Sequence, residues 1–530
     1  MTPNDRHLRL LPAVLLAGML VPCATPAQGD SLAGEPEERP SMNVRRHHDV
    51  RFLGADPWDE LGVQAVFADL NGDGFEEIVL GAWLADGPRN ERSRAGEVYI
   101  FFGRALEDWE RGTLDPSVIY GGRAGDRIGS SLDSGDFNGD GIPDLLIGAR
   151  YANGPSDSLR ARCGEAFLVL GGSAGERHEV VDLREKPDIH ILGLDEGDRF
   201  GRRIHVRDLD GDGREDLLMA AIGSDGRYDE DADAGAVHVL YGRPRDEFEK
   251  VIDLGDRELP VLHGSDESDG VGGAMATGDW DGDGRIDIVL GCGFADGPAN
   301  GRTNAGEAYV LFGTGKRFTG ETVLTEGGVF TIYGADSYDG AGIAIACDDF
   351  DGDGVDDIAL GANLADGPDN RRDKCGEAYV LLGSPSVKSD RIFDLTYAPD
   401  LTIYGAREGD QFGAILNLLD WNDDGFSDLL AASLLNDGPG AQREDAGMLY
   451  VVLGARQTDL EPRVDLATGA GDLFLLGPSA QDKIATAFIM GRIANQDVLF
   501  AASMLGDGPH DEKNDTGEVY VLRWRALTGQ

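Results

Sequence analysis

Basic residues are what this chain has least of for its size: 47 Lys and Arg stand against 97 Asp and Glu, a formal charge of −50. Such a field repels nucleic-acid phosphates and anionic lipid headgroups, so cations or basic surfaces are the expected partners and nucleic acid is not. Cysteine is scarce as well. Beyond Cys23 only Cys163, Cys292, Cys347 and Cys375 occur, none in the CxxC spacing of zinc or redox sites. The nine histidines are scattered, with His47 and His48 near the N-terminus, and no HExxH pair is present. No apolar run after residue 21 is long enough to span a bilayer, and no stretch has convincing helical periodicity. These absences remove zinc fingers, metalloproteases, helical bundles and a transmembrane segment in the mature chain.

Hydrophobic residues nonetheless reach 41%, enough for a core, so the acidity does not make a disordered polyanion. Glycine, at 77 residues, is about twice the usual share of roughly 7%, without the three-residue period of collagen, which implies many tight turns. The N-terminus has the pattern of a signal peptide over 1–27: Arg6 and Arg9, an apolar run over 10–21, then Thr25 and Ala27 at the −3 and −1 places. A secreted, periplasmic or cell-surface protein is expected. Lipid anchoring at Cys23 ranks lower because Pro22 is a poor residue before a lipobox cysteine.

The remainder is repetitive. Segments beginning at Asp69, Asp136, Asp208, Asp279, Asp349 and Asp420 read DLNGDGFEE, DFNGDGIPD, DLDGDGRED, DWDGDGRID, DFDGDGVDD and DWNDDGFSD, with starts 67 to 72 residues apart. Each is followed by a short apolar run, a polar stretch such as ADGPRNERSRAGE (85–97), a second apolar run such as VYIFFG (98–103), and a third ending in Gly such as LTIYG (401–405). Short runs rich in Val, Ile, Leu, Tyr and Phe, punctuated by Gly, Pro, Asp and Asn, predict four strands per unit. A four-stranded unit of this length repeated in series predicts a propeller blade. A seventh unit at 472–525 has an eroded turn, so the expected fold is an all-β, seven-bladed propeller over 46–525, after a flexible segment at 28–45 and before a tail at 526–530. The run VRFLG (50–54) precedes the first unit, and the last unit lacks its outermost strand, which predicts closure by pairing the two ends of the chain.

Acidic or Asn side chains recur at positions 1, 3, 5 and 9 of each Asp-rich segment, with Gly at position 6. The first copies give Asp69, Asn71, Asp73 and Glu77, then Asp136, Asn138, Asp140 and Asp144, then Asp208, Asp210, Asp212 and Asp216. The next give Asp279, Asp281, Asp283 and Asp287, then Asp349, Asp351, Asp353 and Asp357, and finally Asp420, Asn422, Asp424 and Asp428. Oxygen donors at alternating positions of a tight loop suit Ca2+, a hard cation that takes six to eight oxygens at about 2.3 to 2.6 Å, and a carbonyl at position 7 is expected to complete the set. An EF-hand needs Glu at position 12 and flanking helices, whereas here position 9 is acidic and strands flank the loop. A lone Asp-Gly turn would explain one copy, but six in register favour about six calcium sites, expected to be structural. The seventh loop (491–497) is shorter and places Arg492 near position 1, so no calcium is expected there. The loops use 21 of the 97 acidic residues, and six divalent ions would take −50 to −38.

Phe200-Gly201 and Phe412-Gly413, the acidic loops, and the pairs Gly81-Ala82, Gly148-Ala149 and Gly361-Ala362 together resemble the FG-GAP repeat of integrin α subunits, over residues 46–525. The resemblance implies an integrin α N-terminal-like propeller whose calcium is structural and lies away from the ligand face. Six metal loops, no inserted ligand-binding domain and no leg domains are unlike integrins, and a bacterial-type secreted FG-GAP protein is the nearer match. The expected function is a binding or cell-adhesion module for an extracellular protein or carbohydrate, with the 85–97 loop and its counterparts as the recognition surface. The repeated Asp-Gly-Pro in these loops is expected to be turn chemistry. The alternative is an extracellular enzyme on a propeller scaffold, a polysaccharide lyase or phospholipase-like protein; no catalytic residues are assigned, and the loop of unit three (222–236) departs most from the rest. Trp280 and Trp421 are expected to pack, and Cys163 and Cys375 to lie too far apart to bridge, with a Cys292–Cys347 disulfide left open.

Overall fold

The computed structural model describes residues 41–43 and 50–523, apart from breaks at 103–115, 155–159, 173–180, 388–391 and 508–514 and shorter ones of one or two residues. The expected signal peptide, Cys23 and the 526–530 tail lie outside the described residues.

Seven sheets are built from strands largely consecutive in the chain. In blade 5, Ala344–Asp348, Asp357–Ala362, Glu377–Leu381 and Leu401–Tyr404 pair antiparallel in that order. The second strands of blades 1 to 6, EIVLGA, DLLIGA, DLLMAA, DIVLGC, DIALGA and DLLAAS, are buried at every position. Neighbouring blades cover both their faces, so they read as apolar runs rather than as alternation. The first strands, from Leu61–Ala68 in blade 1 to Ala487–Ile493 in blade 7, touch one another in turn, and the last touches the first. They therefore form the inner ring around an axis.

Seven apolar clusters among the described residues each join two consecutive blades. One packs Val66, Val79 and Ile119 of blade 1 against Leu132, Leu145 and Ile147 of blade 2. The closing cluster packs Leu61, Ile78 and Leu80 of blade 1 against Val498, Phe500 and Val519 of blade 7. Trp280 and Trp421 are buried in two of the others, as packing residues. Val50–Leu53 pairs antiparallel with Glu518–Arg523, Val50 opposite Val521, and supplies the fourth strand of blade 7. The expected strand-exchanged closure is thus present.

The four-stranded expectation needs extending. Blades 1 to 6 each carry a fifth, parallel strand on the outer edge, taken from elsewhere in the chain. Val181–Asp182 lies beside Ser117–Tyr120, Val251–Asp253 beside Ile189–Leu192, and Ile392–Asp394 beside Phe330–Tyr333. Each comes from the connection between the third and fourth strands of the following blade, so among the described residues blades 2 to 7 each roof the edge of the blade before. For blade 6 the lent strand is Ser41–Asn43, beside Leu473–Leu476, a strand with no counterpart in the sequence reading.

The GA glycines are required by a close contact with the FG glycines, which themselves sit at positive φ, 76° at Gly201 and 83° at Gly413. A Cβ on Gly361 would lie 2.0 Å from the Gly413 carbonyl oxygen, and one on Gly148 would lie 2.2 Å from that of Gly201. The GA glycine of one blade thus sits backbone to backbone against the FG glycine of the next. All four described cysteines are free, with Cys163, Cys292 and Cys375 buried and Cys347 partly so, which answers the disulfide left open.

Candidate metal centres

The expected ligands at positions 1, 3 and 5 lie in the connections between the first and second strands of blades 1 to 6, and position 9 opens the second strand each time. The loop folds around its first residue. Asp69 accepts the N–H of Asp73 at 2.9 Å and of Gly74 at 2.8 Å; Asp136, Asp208, Asp279, Asp349 and Asp420 repeat both bonds. Position 5 then accepts the N–H of position 7, as from Phe75 to Asp73, Ile142 to Asp140 and Phe426 to Asp424. Gly at position 6 holds φ between 80° and 88° in all six loops, a left-handed conformation that a Cβ resists. A Cβ added at that glycine would meet nothing within 4 Å, so its reason is conformational rather than steric.

Position 9 does what spacing alone did not reveal. Asp216 accepts the Leu209 N–H at 2.9 Å on one oxygen and the Gly242 N–H at 2.8 Å on the other, tying loop to third strand. Asp287, Asp357 and Asp428 do the same to Gly313, Gly383 and Gly454. In blades 1 and 2 the position 3 amides join in, Asn71 donating to Glu77 and Asn138 to Asp144. Burial pushes these carboxyls up, to about 8 for Glu77 and Asp357 and about 7 for Asp144, Asp216, Asp287 and Asp428. Backbone donors pull each back, and the carboxylates around it push further up.

The remaining lone pairs converge. Three carboxylates offer oxygens within 4.8 Å of one another in four loops: Asp69, Asp73 and Glu77; Asp208, Asp210 and Asp212; Asp279, Asp281 and Asp287; Asp349, Asp351 and Asp353. An all-oxygen, mostly anionic donor set on a backbone-fixed loop fits a hard divalent cation. Blade 3 differs, because Arg317 reaches its loop and sits 2.5 Å from Asp210 and 3.0 Å from Asp212. In blade 7 the two strands pair up to Ile493 and Gln496, and Arg492 and Asp497 form a cross-strand ion pair at 2.9 Å.

The opposite end of the ring holds the 85–97 loop and its counterparts. There Asp86, Asp296, Asp366, Asp437 and Asp507 each accept a backbone N–H eight residues on, so Asp-Gly-Pro is turn chemistry. An arginine of the same loop turns outward to the lent strand: Arg302 donates to the Gly334 carbonyl at 2.7 Å and to both oxygens of Asp394 at 2.9 and 2.6 Å. Arg92 pairs likewise with Asp182, Arg160 with Asp253 and Arg372 with Asp465. These arginines strap the loops down. The sequence reading missed them, although an apolar-Asp-Leu string recurs at 181–183, 252–254, 393–395 and 464–466.

A family model described as FG-GAP repeat matches residues 61–101, 128–158 and 200–240, within blades 1 to 3. Phosphatidylinositol-glycan-specific phospholipase D of Mus musculus is 30% identical over 39% of this chain and 23% of its own length. That of Dictyostelium discoideum is 22% identical over 77% of this chain and 42% of its own. Integrin alpha-PS5 of Drosophila melanogaster is 30% identical over 35% of this chain and 17% of its own. The chain thus spans less than half the length of these relatives. On both sequence and architecture, the chain is a seven-bladed β-propeller carrying FG-GAP repeats and homologous to integrin α chains.

Proposed function

We propose that this protein is an exported calcium-binding propeller that acts as a binding or adhesion module for an extracellular protein or carbohydrate. The observation that carries the calcium reading is the convergence of three carboxylates in each of four loops, next to a buried carboxyl at position 9. Positions 1, 3, 5 and 9 of blades 1 to 6 would hold the ions, and a divalent ion would neutralise groups that burial disfavours as charges. Arg6, Arg9 and the apolar run over 10–21 support export, and among the described residues no helix is long and apolar enough to cross a membrane. The similarity to integrin α chains supports recognition at the face opposite the loops.

Melting the protein with calcium and with a chelator tests the metal. A bound ion at a hundred times its Kd stabilises by about 2.7 kcal/mol per site, so a clear rise in midpoint is expected and an unchanged one removes the reading. A screen of glycans and surface proteins, with and without calcium, tests the partner.

An extracellular enzyme, a polysaccharide lyase or phospholipase-like protein, is the second reading, supported by the similarity to phosphatidylinositol-glycan-specific phospholipase D. One constellation on the inner strands suits it: His205 lies with Nδ1 3.3 Å from Asp133 and Nε2 2.9 Å from the Thr277 hydroxyl. Turnover of a phospholipid or polysaccharide that is lost in His205→Ala would move the assignment to this reading.

A further inference from the structure

In a chain so short of basic residues, one place collects them. The first and second strands pair Leu61 with Ala82 and Ala68 with Glu77, so residues just after a second strand and just before a first strand share the end away from the metal loops. At that end Trp83 follows the second strand of blade 1, and Arg150 and Tyr151 follow that of blade 2. Arg127 shortly precedes the first strand of blade 2, and Arg202 and Arg203 stand directly before that of blade 3. Since the first strands form the inner ring, these residues gather at the mouth of the axis.

The aromatic rings hold two of the guanidiniums by their faces. Arg127 lies 4.4 Å from the Tyr151 centroid and 5.3 Å from that of Trp83; Arg150 lies 4.7 Å from Trp83 and 5.0 Å from Tyr151. A cation–π stack uses the face of the planar group and leaves its N–H edge free. On Arg150 the Nε is buried and has no hydrogen-bond partner among the described residues. Arg203 donates from Nε only to the Gly273 carbonyl, at 3.2 Å. Among the described residues no carboxylate forms an ion pair with Arg127, Arg150, Arg202 or Arg203. The acid nearest in field to Arg127 is Glu60, which accepts the Trp83 indole N–H at 2.7 Å. Burial lowers the pKa of Arg150 to about 10, with Arg203, Arg127 and Arg199 adding to the shift, and burial lowers Arg202 and Arg203 too. A guanidinium keeps its proton in proteins, so like charges gather here.

The geometry points to a receptor for a ligand bearing oxyanion groups, carboxylate or sulfate, at the axial mouth of blades 1 to 3, formed by Arg127, Arg150, Arg202 and Arg203. Planar guanidinium edges bind such groups with paired, charge-assisted hydrogen bonds. The distant carboxylates do not forbid it, because their field is screened beyond about 8 Å at physiological ionic strength. This inference rests on the binding-module reading and gives it an acidic ligand.

The test is calorimetric titration of the calcium-loaded full chain with sucrose octasulfate, glucuronate and inorganic sulfate; phosphate and citrate are avoided because they sequester calcium. Binding of the octasulfate at least tenfold tighter than sulfate is expected, with a tenfold or greater loss in Arg150→Gln/Arg203→Gln and none in the exposed control Arg89→Gln. Glucuronate binding without octasulfate binding assigns the site to carboxylates. Absence of binding by all three, or binding that the double variant leaves unchanged, overturns the proposal. A second measurement needs no variant: sulfate should raise the melting midpoint with saturation at millimolar concentration, whereas general salting-out keeps growing, and only unsaturated growth counts against the site. If octasulfate binds but no surface glycan or protein does, the site stands and adhesion falls. If a macromolecular ligand binds parent and double variant equally, adhesion stands and the site falls.

Discussion

Arg317 reaches the metal loop of blade 3 from a distant part of the chain and brings a cation to Asp210 and Asp212, in addition to the local Arg214 beside Asp212. A half-exposed pair of this kind is worth about 0.2–1 kcal/mol. Arg317→Ala should therefore tighten calcium binding at that loop by up to about fivefold, and a calcium titration indistinguishable from the parent would contradict the competition. Asp339 carries a different consequence. Burial, then Glu377, Asp336 and Asp366, push its carboxyl up to about 8 from an ordinary 3.8. The folded state thus holds a proton that the unfolded state has released, and stability from this group is full below about pH 4 and lost as pH rises towards 8. Asp339→Asn should flatten the fall in melting midpoint between pH 5 and 8; an equally steep fall would show that the carboxyl does not titrate there. At this scale the sequence was legible where a residue has one task. The alternation and the glycine of the loops marked donors and turn, but one of the two backbone bonds of Asp216 comes from Gly242, 26 residues on. The arginine cluster escaped notice for a related reason, because Arg127, Arg150 and Arg203 meet only once three blades are placed side by side.

Strands reveal themselves by apolar length, and the four longer ones of each blade did so. The lent strands are two or three residues long, VD, VID, ETV, IFD and RVD, with no room for alternation, so only their recurrence at the same place in each repeat could have disclosed them. Their strapping arginines make their value measurable. Arg302 bonds the Gly334 carbonyl and, bidentately, Asp394, in a partly buried setting. Arg302→Ala or Asp394→Ala should lower stability by about 1–3 kcal/mol, with the double variant costing less than the sum of the singles. Additive losses in a denaturant-melt cycle would mean that the two side chains do not act as a unit. The contact between the GA and FG glycines predicts a loss of about 1–3 kcal/mol for Gly361→Ala, whose Cβ has no room beside Gly413. A variant as stable as the parent would rule out that close approach.

For the whole molecule, the ring and the net charge oppose each other. In chelator the −50 charge is uncompensated, so stability should climb as salt shortens the screening length from about 30 Å at 0.01 M to about 8 Å at 0.15 M. With calcium bound the climb should be smaller, and equal slopes in the two states would argue against several bound ions. The seam offers the complementary test. Deleting 41–53 removes the fourth strand of blade 7 and the fifth of blade 6 and uncovers the Val50 cluster, so the melt should lose its cooperativity; excising Ser41–Asn43 alone should do less. The ring and its closure were legible because both follow from counting strands, whereas which blade lends to which needed coordinates. The seam also sets a timetable. A ribosome or an export channel delivers Val50 long before Val521 exists to pair with it. Until Glu518–Arg523 has been made the protein is therefore an open arc with one raw blade face at each end, and its closure waits for that strand.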